Sequence, residues 1–201
     1  THGTTEGINL VASSFGEAFV KPGDEIVVTE MEHHSNLVPW QLMASRRRAK
    51  IRAVPVTDRG ELDLDALGAL LGPKTRLLAV TQLSNVLGTV NPIADIIAVA
   101  HDRGVAVLVD GAQSAPRMPV DVRELGCDFF VCSSHKMYGP MGVGVLYGRG
   151  SLLDQMPPYE GGGDMIDTVG LECSSYAPLP AKFEAGTPNV AGVIGLGAAL
   201  G

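Results

Sequence analysis

At 201 residues the chain is long enough for one large α/β domain or two small ones. A hydrophobic fraction of 45% against 18% charged residues describes a core-forming protein and excludes a disordered one. The formal net charge of −7 repels nucleic acid and anionic membranes, so neither is expected as a partner.

The basic run Arg46-Arg47-Arg48 is read as a solvated helix face rather than a phosphate-binding patch. Cys127, Cys132 and Cys173 form an odd set without metal-ligand spacing. No metal is therefore expected, and a reducing, cytoplasmic compartment fits better than a disulfide framework. No apolar run approaches the ~20 residues that cross a bilayer. The chain lacks an initiator Met and opens on Thr1-His2-Gly3 like the middle of a motif, so it is treated as a fragment.

Ile8, Val11, Ala12, Phe15 and Phe19 follow helical spacing, with Thr4 or Thr5 as the N-cap. Residues 25–29 read as a strand entered from the Lys21-Pro22-Gly23-Asp24 turn. A helix over residues 35–48 and a strand near 51–56 come next. Leu64, Leu67, Leu70 and Leu71 form a helical stripe that Gly72-Pro73 ends, and 76–81 reads as a buried strand. Asn91 and Pro92 signal a helix start, with Asn as cap and Pro at the first helical position. Ile93, Ile96, Ile97 and Ala100 continue that helix to Gly104.

The apolar run 105–109 is of the kind expected for a parallel strand covered on both faces. A short helix runs from Asp121 to Gly126, with strands near 129–132 and 143–147. Residues 157–188, rich in Pro and Gly, read as extended loops. The alternation predicts an α/β fold: a mostly parallel sheet with helices on both faces. Ligands of such sheets bind beyond the carboxyl ends of the strands.

Polar residues stand at those ends. His33 and His34 follow the first complete strand, Ser84 and Asn85 the strand 76–81, Asp110 ends the apolar run, and Ser133-Ser134-His135-Lys136 follows the strand near 129–132. Parallel strands would bring them to one rim, the default place for a site. Alone, Asp110 reads equally well as a helix cap and Lys136 as a solvated loop lysine. Together they match the needs of pyridoxal phosphate: a lysine for the Schiff base and an acid for the pyridine nitrogen. Gly3-Thr4-Thr5 at a helix start offers N–H groups, hydroxyls and the positive end of the dipole to a phosphate, although the same residues also suit an ordinary cap.

Six motifs then follow in order: Gly3-Thr4-Thr5-Glu6, Glu30-Met31-Glu32-His33-His34-Ser35-Asn36, Ser84-Asn85-Val86-Leu87-Gly88-Thr89, Asp110-Gly111-Ala112-Gln113, Ser133-Ser134-His135-Lys136-Met137-Tyr138-Gly139-Pro140 and Phe183-Glu184-Ala185-Gly186-Thr187-Pro188-Asn189. The set resembles class V aminotransferase-fold enzymes. Met31-Glu32-His33-His34, with Pro39-Trp40 behind it, resembles the SUF-type (group II) cysteine desulfurase and selenocysteine lyase branch. The resemblance implies that residues 1–201 are the pyridoxal-phosphate-binding large domain of a fold type I transferase, with an N-terminal segment and a C-terminal small domain outside the chain.

Roles follow from the resemblance. Lys136 would carry pyridoxal 5′-phosphate and move the substrate α-proton. Asp110 would pair with the pyridine nitrogen, Gln113 would bond the ring oxygen, and His33 would stack on the ring as a catalytic partner, leaving His34 structural. Thr4, Thr5, Ser133 and His135 would hold the phosphate, and Asn85 the substrate carboxylate. Thr187, and less directly Gly161-Gly162-Gly163, would serve the other subunit of a homodimer. Ser134 departs from the family's usual Gly, at little cost unless the backbone there needs φ > 0.

The implied reaction takes L-cysteine to L-alanine and passes sulfur, as a persulfide, to an acceptor protein of the SUF system for iron–sulfur assembly. The family's persulfide cysteine and a substrate-binding arginine would lie beyond residue 201, and Cys173 is the only one of the three cysteines worth testing. Action on L-selenocysteine, another class V chemistry such as epimerisation, and a non-catalytic binding role remain open alternatives. A nicotinamide site is a poor fit, because Gly142-x-Gly144 lacks both the third glycine and a following helix.

Overall fold

The computed structural model describes residues 1–201, and its elements follow the alternation of the sequence. Helix α1 (Thr4–Phe19) leads to strand β1 (Glu25–Thr29), then α2 (Val38–Arg47) and β2 (Lys50–Val54). Next come α3 (Leu64–Leu70), β3 (Thr75–Thr81), α4 (Ile93–His101) and β4 (Ala106–Asp110). The short α5 (Val122–Leu125), capped by Asp121 and ended by left-handed Gly126, precedes β5 (Phe129–Ser133). Strand β6 (Gly144–Gly148), α6 (Gly150–Leu153), the hairpin β7 (Ile166–Val169) and β8 (Ser174–Tyr176), and α7 (Val190–Leu200) complete the chain.

The main sheet has the order β2-β1-β3-β4-β5-β6. Every pair is parallel except β5 with β6. Successive strand residues point to opposite faces, and the sequence fills both with apolar groups. On one face Ile26, Val28, Leu77, Ala79, Leu108, Phe129 and Val131 lie under Ile8, Val11, Phe15, Trp40 and Met43 of α1 and α2. On the other, Val27, Leu78, Val80, Val107, Val109, Phe130 and Cys132 lie under α3 and α4, through Leu67, Ile93, Ile96, Ile97 and Ala100. Each such side chain contributes about 1.5–3 kcal/mol when fully buried. The edge strand β2 carries exposed Lys50 and Arg52, charges that discourage pairing with another chain.

Several expectations need correction. The helix expected over 35–48 is a 3₁₀ turn (His34–Asn36) followed by α2, because Pro39 has no N–H and is tolerated only in a helix's first turn. Neither Thr4 nor Thr5 caps α1: Gly3 is the N-cap, and the threonine hydroxyls bond elsewhere. Asn91 does not cap α4, because its amide donates to Thr81 O (2.8 Å) on the sheet, leaving Pro92 as the cap. The strand expected near 51–56 ends at Val54, and residues 157–188 include the hairpin β7–β8. Arg47 is more than a solvated charge, for its Nε donates to Val20 O (3.1 Å). No helix is long and apolar enough to cross a membrane.

Asp24, buried before β1, meets Arg76 of β3 through two hydrogen bonds of 2.9 and 3.0 Å. The guanidinium holds the Asp24 carboxyl below its usual range. A depressed carboxylate pKa adds stability above the unfolded value and loses it as pH falls through the folded one. Arg76 is 40% exposed, so solvent screens much of the pair's energy. Arg76→Met is therefore expected to cost about 1 kcal/mol at neutral pH. In urea denaturation, the difference from wild type should shrink as pH drops below 3.8.

Candidate functional site

Thr29, Thr81, Asp110 and Ser133 are the last residues of β1, β3, β4 and β5, so parallel pairing sets them on one rim. Above it lies a cavity of about 280 Å³. Its lining includes Thr4, Thr5, His33, Asn85, Asp110, Gln113, Ser133, His135 and Lys136, nine of the ten residues that the sequence nominates. Thr187 is the exception. It is exposed on the loop before α7, and Gly186 N–H donates to Gly163 O (2.9 Å), tying that loop to the exposed glycine run 161–163. Neither loop lines the cavity.

Helix α1 brings its N-terminus to the rim through Ser133. Thr4 N–H donates to Ser133 Oγ (2.8 Å), and the two hydroxyls lie 2.8 Å apart. The approach depends on Gly144 of β6, whose N–H donates to Thr1 O (2.7 Å). A Cβ on Gly144 would stand 2.8 Å from both Gly3 N and Cys132 O. Thr5 Oγ1 lies 2.9 Å from Ser35 Oγ, joining α1 to the turn that carries His33. Hydroxyls, N–H groups and the positive end of a 16-residue helix together make an anion seat.

Asp110 is 4% exposed. Its Oδ1 accepts from Ala112 N–H (2.9 Å), so the local turn uses one oxygen while no protein donor reaches the other. Gly111 leaves no room for a side chain, since a Cβ there would run into the Phe130 ring. Burial pushes the Asp110 carboxyl above its usual value, and the nearby Lys136 and His33 charges pull the other way. Such a carboxylate calls for a cationic donor.

His33 accepts from Ser35 N–H at Nδ1 (3.1 Å), which places the proton of the neutral ring on Nε2. Lys136 ends the 3₁₀ turn Ser134–Lys136, and its ammonium has no hydrogen-bond or ion-pair partner in the protein. Gln113 Oε1 accepts from Arg117 (2.7 Å), leaving its amide N–H groups free for another partner. A lysine amine, a buried carboxylate, an imidazole and a helix N-terminus around one cavity suit an aromatic aldehyde bearing a phosphate.

Two further polar lining residues, Ser35 and Thr81, were not singled out from the sequence. The strand-end rule points to Thr81, and Ser35 stands two residues past His33 in the same motif. The Ser134 backbone does not have positive φ, but its hydroxyl is fully buried without a partner, under Gly139. Cys127 and Cys132 are buried, with burial pushing the Cys127 thiol to about 11, whereas Cys173 is exposed; none lines the cavity.

The class-V aminotransferase family model matches residues 1–201. Cysteine desulfurases of Yersinia pestis (strain Pestoides F) and Yersinia pseudotuberculosis serotype O:3 (strain YPIII) are each 60% identical over 199 residues, 98% of this chain. The chain spans about half their length, 49%. Among solved structures, the cysteine desulfurase CsdA from Escherichia coli superposes with a TM-score of 0.97 at 48% identity, over 100% of this chain and 50% of that one. The cysteine desulfurase of Thermococcus onnurineus NA1 gives 0.94 at 41% identity, with the same coverage. The cystine C–S lyase C-DES, solved with its product cysteine persulfide, gives 0.88 at 34% over 98% of this chain and 53% of that one.

Gly144→Ala is expected to push the start of α1 off the rim and to cost about 1–3 kcal/mol, read by thermal melting. Ser134→Ala removes an unpaired buried hydroxyl and is expected to stabilise by about 1 kcal/mol in the same assay.

Proposed function

Because the chain belongs to the class-V aminotransferase family, we propose that its cavity holds pyridoxal 5′-phosphate and that the full-length protein is a cysteine desulfurase. The observation that carries this reading is Asp110: a buried carboxylate with one oxygen free of protein donors, at a cavity that also receives Lys136. A protonated pyridine nitrogen supplies the cation that this burial calls for. The bound cofactor would act as an electron sink for bonds broken at the substrate's α-carbon.

The chain's own residues divide the remaining work. Lys136 would hold the cofactor covalently and would move the proton at the substrate's α-carbon. Thr4, Thr5, Ser133 and His135 would hold the phosphate, Gln113 would bond the ring oxygen, and His33 would meet the ring. Asn85 orients the substrate carboxylate. L-cysteine and an enzyme thiol give L-alanine and an enzyme persulfide, with the thiol's sulfur attacking the substrate's and the α-amino acid keeping the hydrogens. None of the three cysteines here lines the cavity, so the acceptor thiol is assigned to the rest of the full-length protein.

In this reading, residues 1–201 are the cofactor-binding large domain, and a homodimer places Thr187 of one subunit near the phosphate of the other. The persulfide passes to a SUF-type acceptor for iron–sulfur assembly. Three free thiols fit a reducing compartment, here the cytoplasm. L-selenocysteine is the second reading for the substrate, and the same site supports it.

The full-length protein loaded with pyridoxal phosphate is expected to show a visible absorbance band, and borohydride should fix the cofactor's mass on the Lys136 peptide. Lys136→Ala is expected to lose the label and to slow alanine release by at least about 100-fold. Label on another lysine, or none from a folded sample, would overturn the assignment.

A further inference from the structure

Glu32 has no part in the chemistry above, yet it accepts more hydrogen bonds than any other carboxylate at this rim. Its Oε1 accepts from Thr29 Oγ1 (2.6 Å) at the end of β1 and from Thr81 N–H (2.9 Å) at the end of β3. Its Oε2 accepts from Asn36 Nδ2 (2.6 Å), beyond the turn that carries His33. The side chain joins two strand ends to the turn between β1 and α2.

The direction of the Asn36 and Thr81 bonds is fixed. Trp40 is fully buried, and its indole N–H can only donate; it donates to Asn36 Oδ1 (3.0 Å). Asn36, also fully buried, must therefore turn its NH₂ toward Glu32. The Thr81 backbone N–H can likewise only donate. Position 32 thus faces obligate donors on both sides and needs an acceptor at each oxygen. A carboxylate meets that demand, whereas an amide presents N–H groups to one of the donors.

The consequence reaches the cavity through two neighbours. His33 follows Glu32 directly, and its carbonyl accepts from Asn36 N–H (2.7 Å). Thr81 is registered opposite Asp110 in the sheet. Resting on the cofactor reading above, we propose that Glu32 is a positioning residue: as a double acceptor it fixes the His33 ring relative to the Asp110 carboxylate, setting the width of the seat between them. Burial, with Asp110 adding to it, pushes the Glu32 carboxyl up to about 8. The acceptor role survives protonation, because the proton can lie on the short contact to Thr29 Oγ1 while both amide donors keep their partners.

The test uses the full-length protein, stripped of cofactor and titrated with pyridoxal phosphate. Glu32→Gln should weaken cofactor affinity about tenfold, the scale of one buried donor left facing another. Combining Glu32→Gln with Asn36→Asp exchanges amide and carboxylate. Trp40 and the new amide then donate to position 36, and position 32 still accepts from Thr81. This double variant should recover wild-type affinity to within about threefold and restore the visible band.

Wild-type affinity in Glu32→Gln overturns the proposal. So does a double variant that regains the melting temperature but not the affinity. If Glu32→Gln does not fold, the double variant decides alone: affinity within threefold of wild type supports the proposal and a tenfold loss overturns it. A wild-type protein that binds no cofactor at Lys136 refutes the cofactor reading itself, an outcome distinct from normal binding that Glu32→Gln leaves unchanged.

Discussion

The N-terminus of α1 reaches the end of β5 only because Gly144 carries no side chain. That approach sets Thr4 on Ser133, and Thr4 fixes where the dipole of a 16-residue helix points. Thr5 then meets Ser35, which holds the turn bearing His33. The anion seat, the imidazole and the Lys136 turn are consequently placed relative to one another by contacts rather than by loop preference. A rigid sheet below and a helix terminus above leave little slack in the site.

The sheet supplies the other half of the arrangement. Five parallel strands must end on the same side, and the two apolar layers bind the strands to helices on both faces. Polar groups placed one residue beyond each apolar run then have nowhere to go but the rim. Asp110 is the costly member of that set, since a buried carboxylate is disfavoured until a cation meets it. The proposed cofactor turns that cost into binding selectivity for a ring with a protonated nitrogen.

Much of this was legible in the sequence because it rests on local patterns. Apolar runs marked β3, β4 and β5, and the residues just past them marked the rim. Asp121 and Gly126 bounded α5 as their types require. Lys136 and Asp110 alone were ambiguous, and the ordered motifs pointed to a shared role for them. What stayed hidden depends on long-range partners. Asn91 looks like a cap until Thr81 O, ten residues away in sequence, takes its amide. The dependence on Gly144 shows only when residues 3 and 144 are brought together, and the acceptor role of Glu32 only when residues 29, 36 and 81 surround it. The short α6 carries no strong periodicity to announce it.

The tie between α1 and β6 also bears on how the chain is made. Strands β1, β2, β3 and β4 pair close to their order of synthesis, so that much of the sheet can assemble as it leaves the ribosome. Within this segment α1 precedes every strand, yet the contacts of its start with Ser133 and Gly144 must wait for β5 and β6. The part of the rim that joins Thr4 to Ser133 is thus completed only after β5 and β6 are made, later than the strands that pair near their order of synthesis.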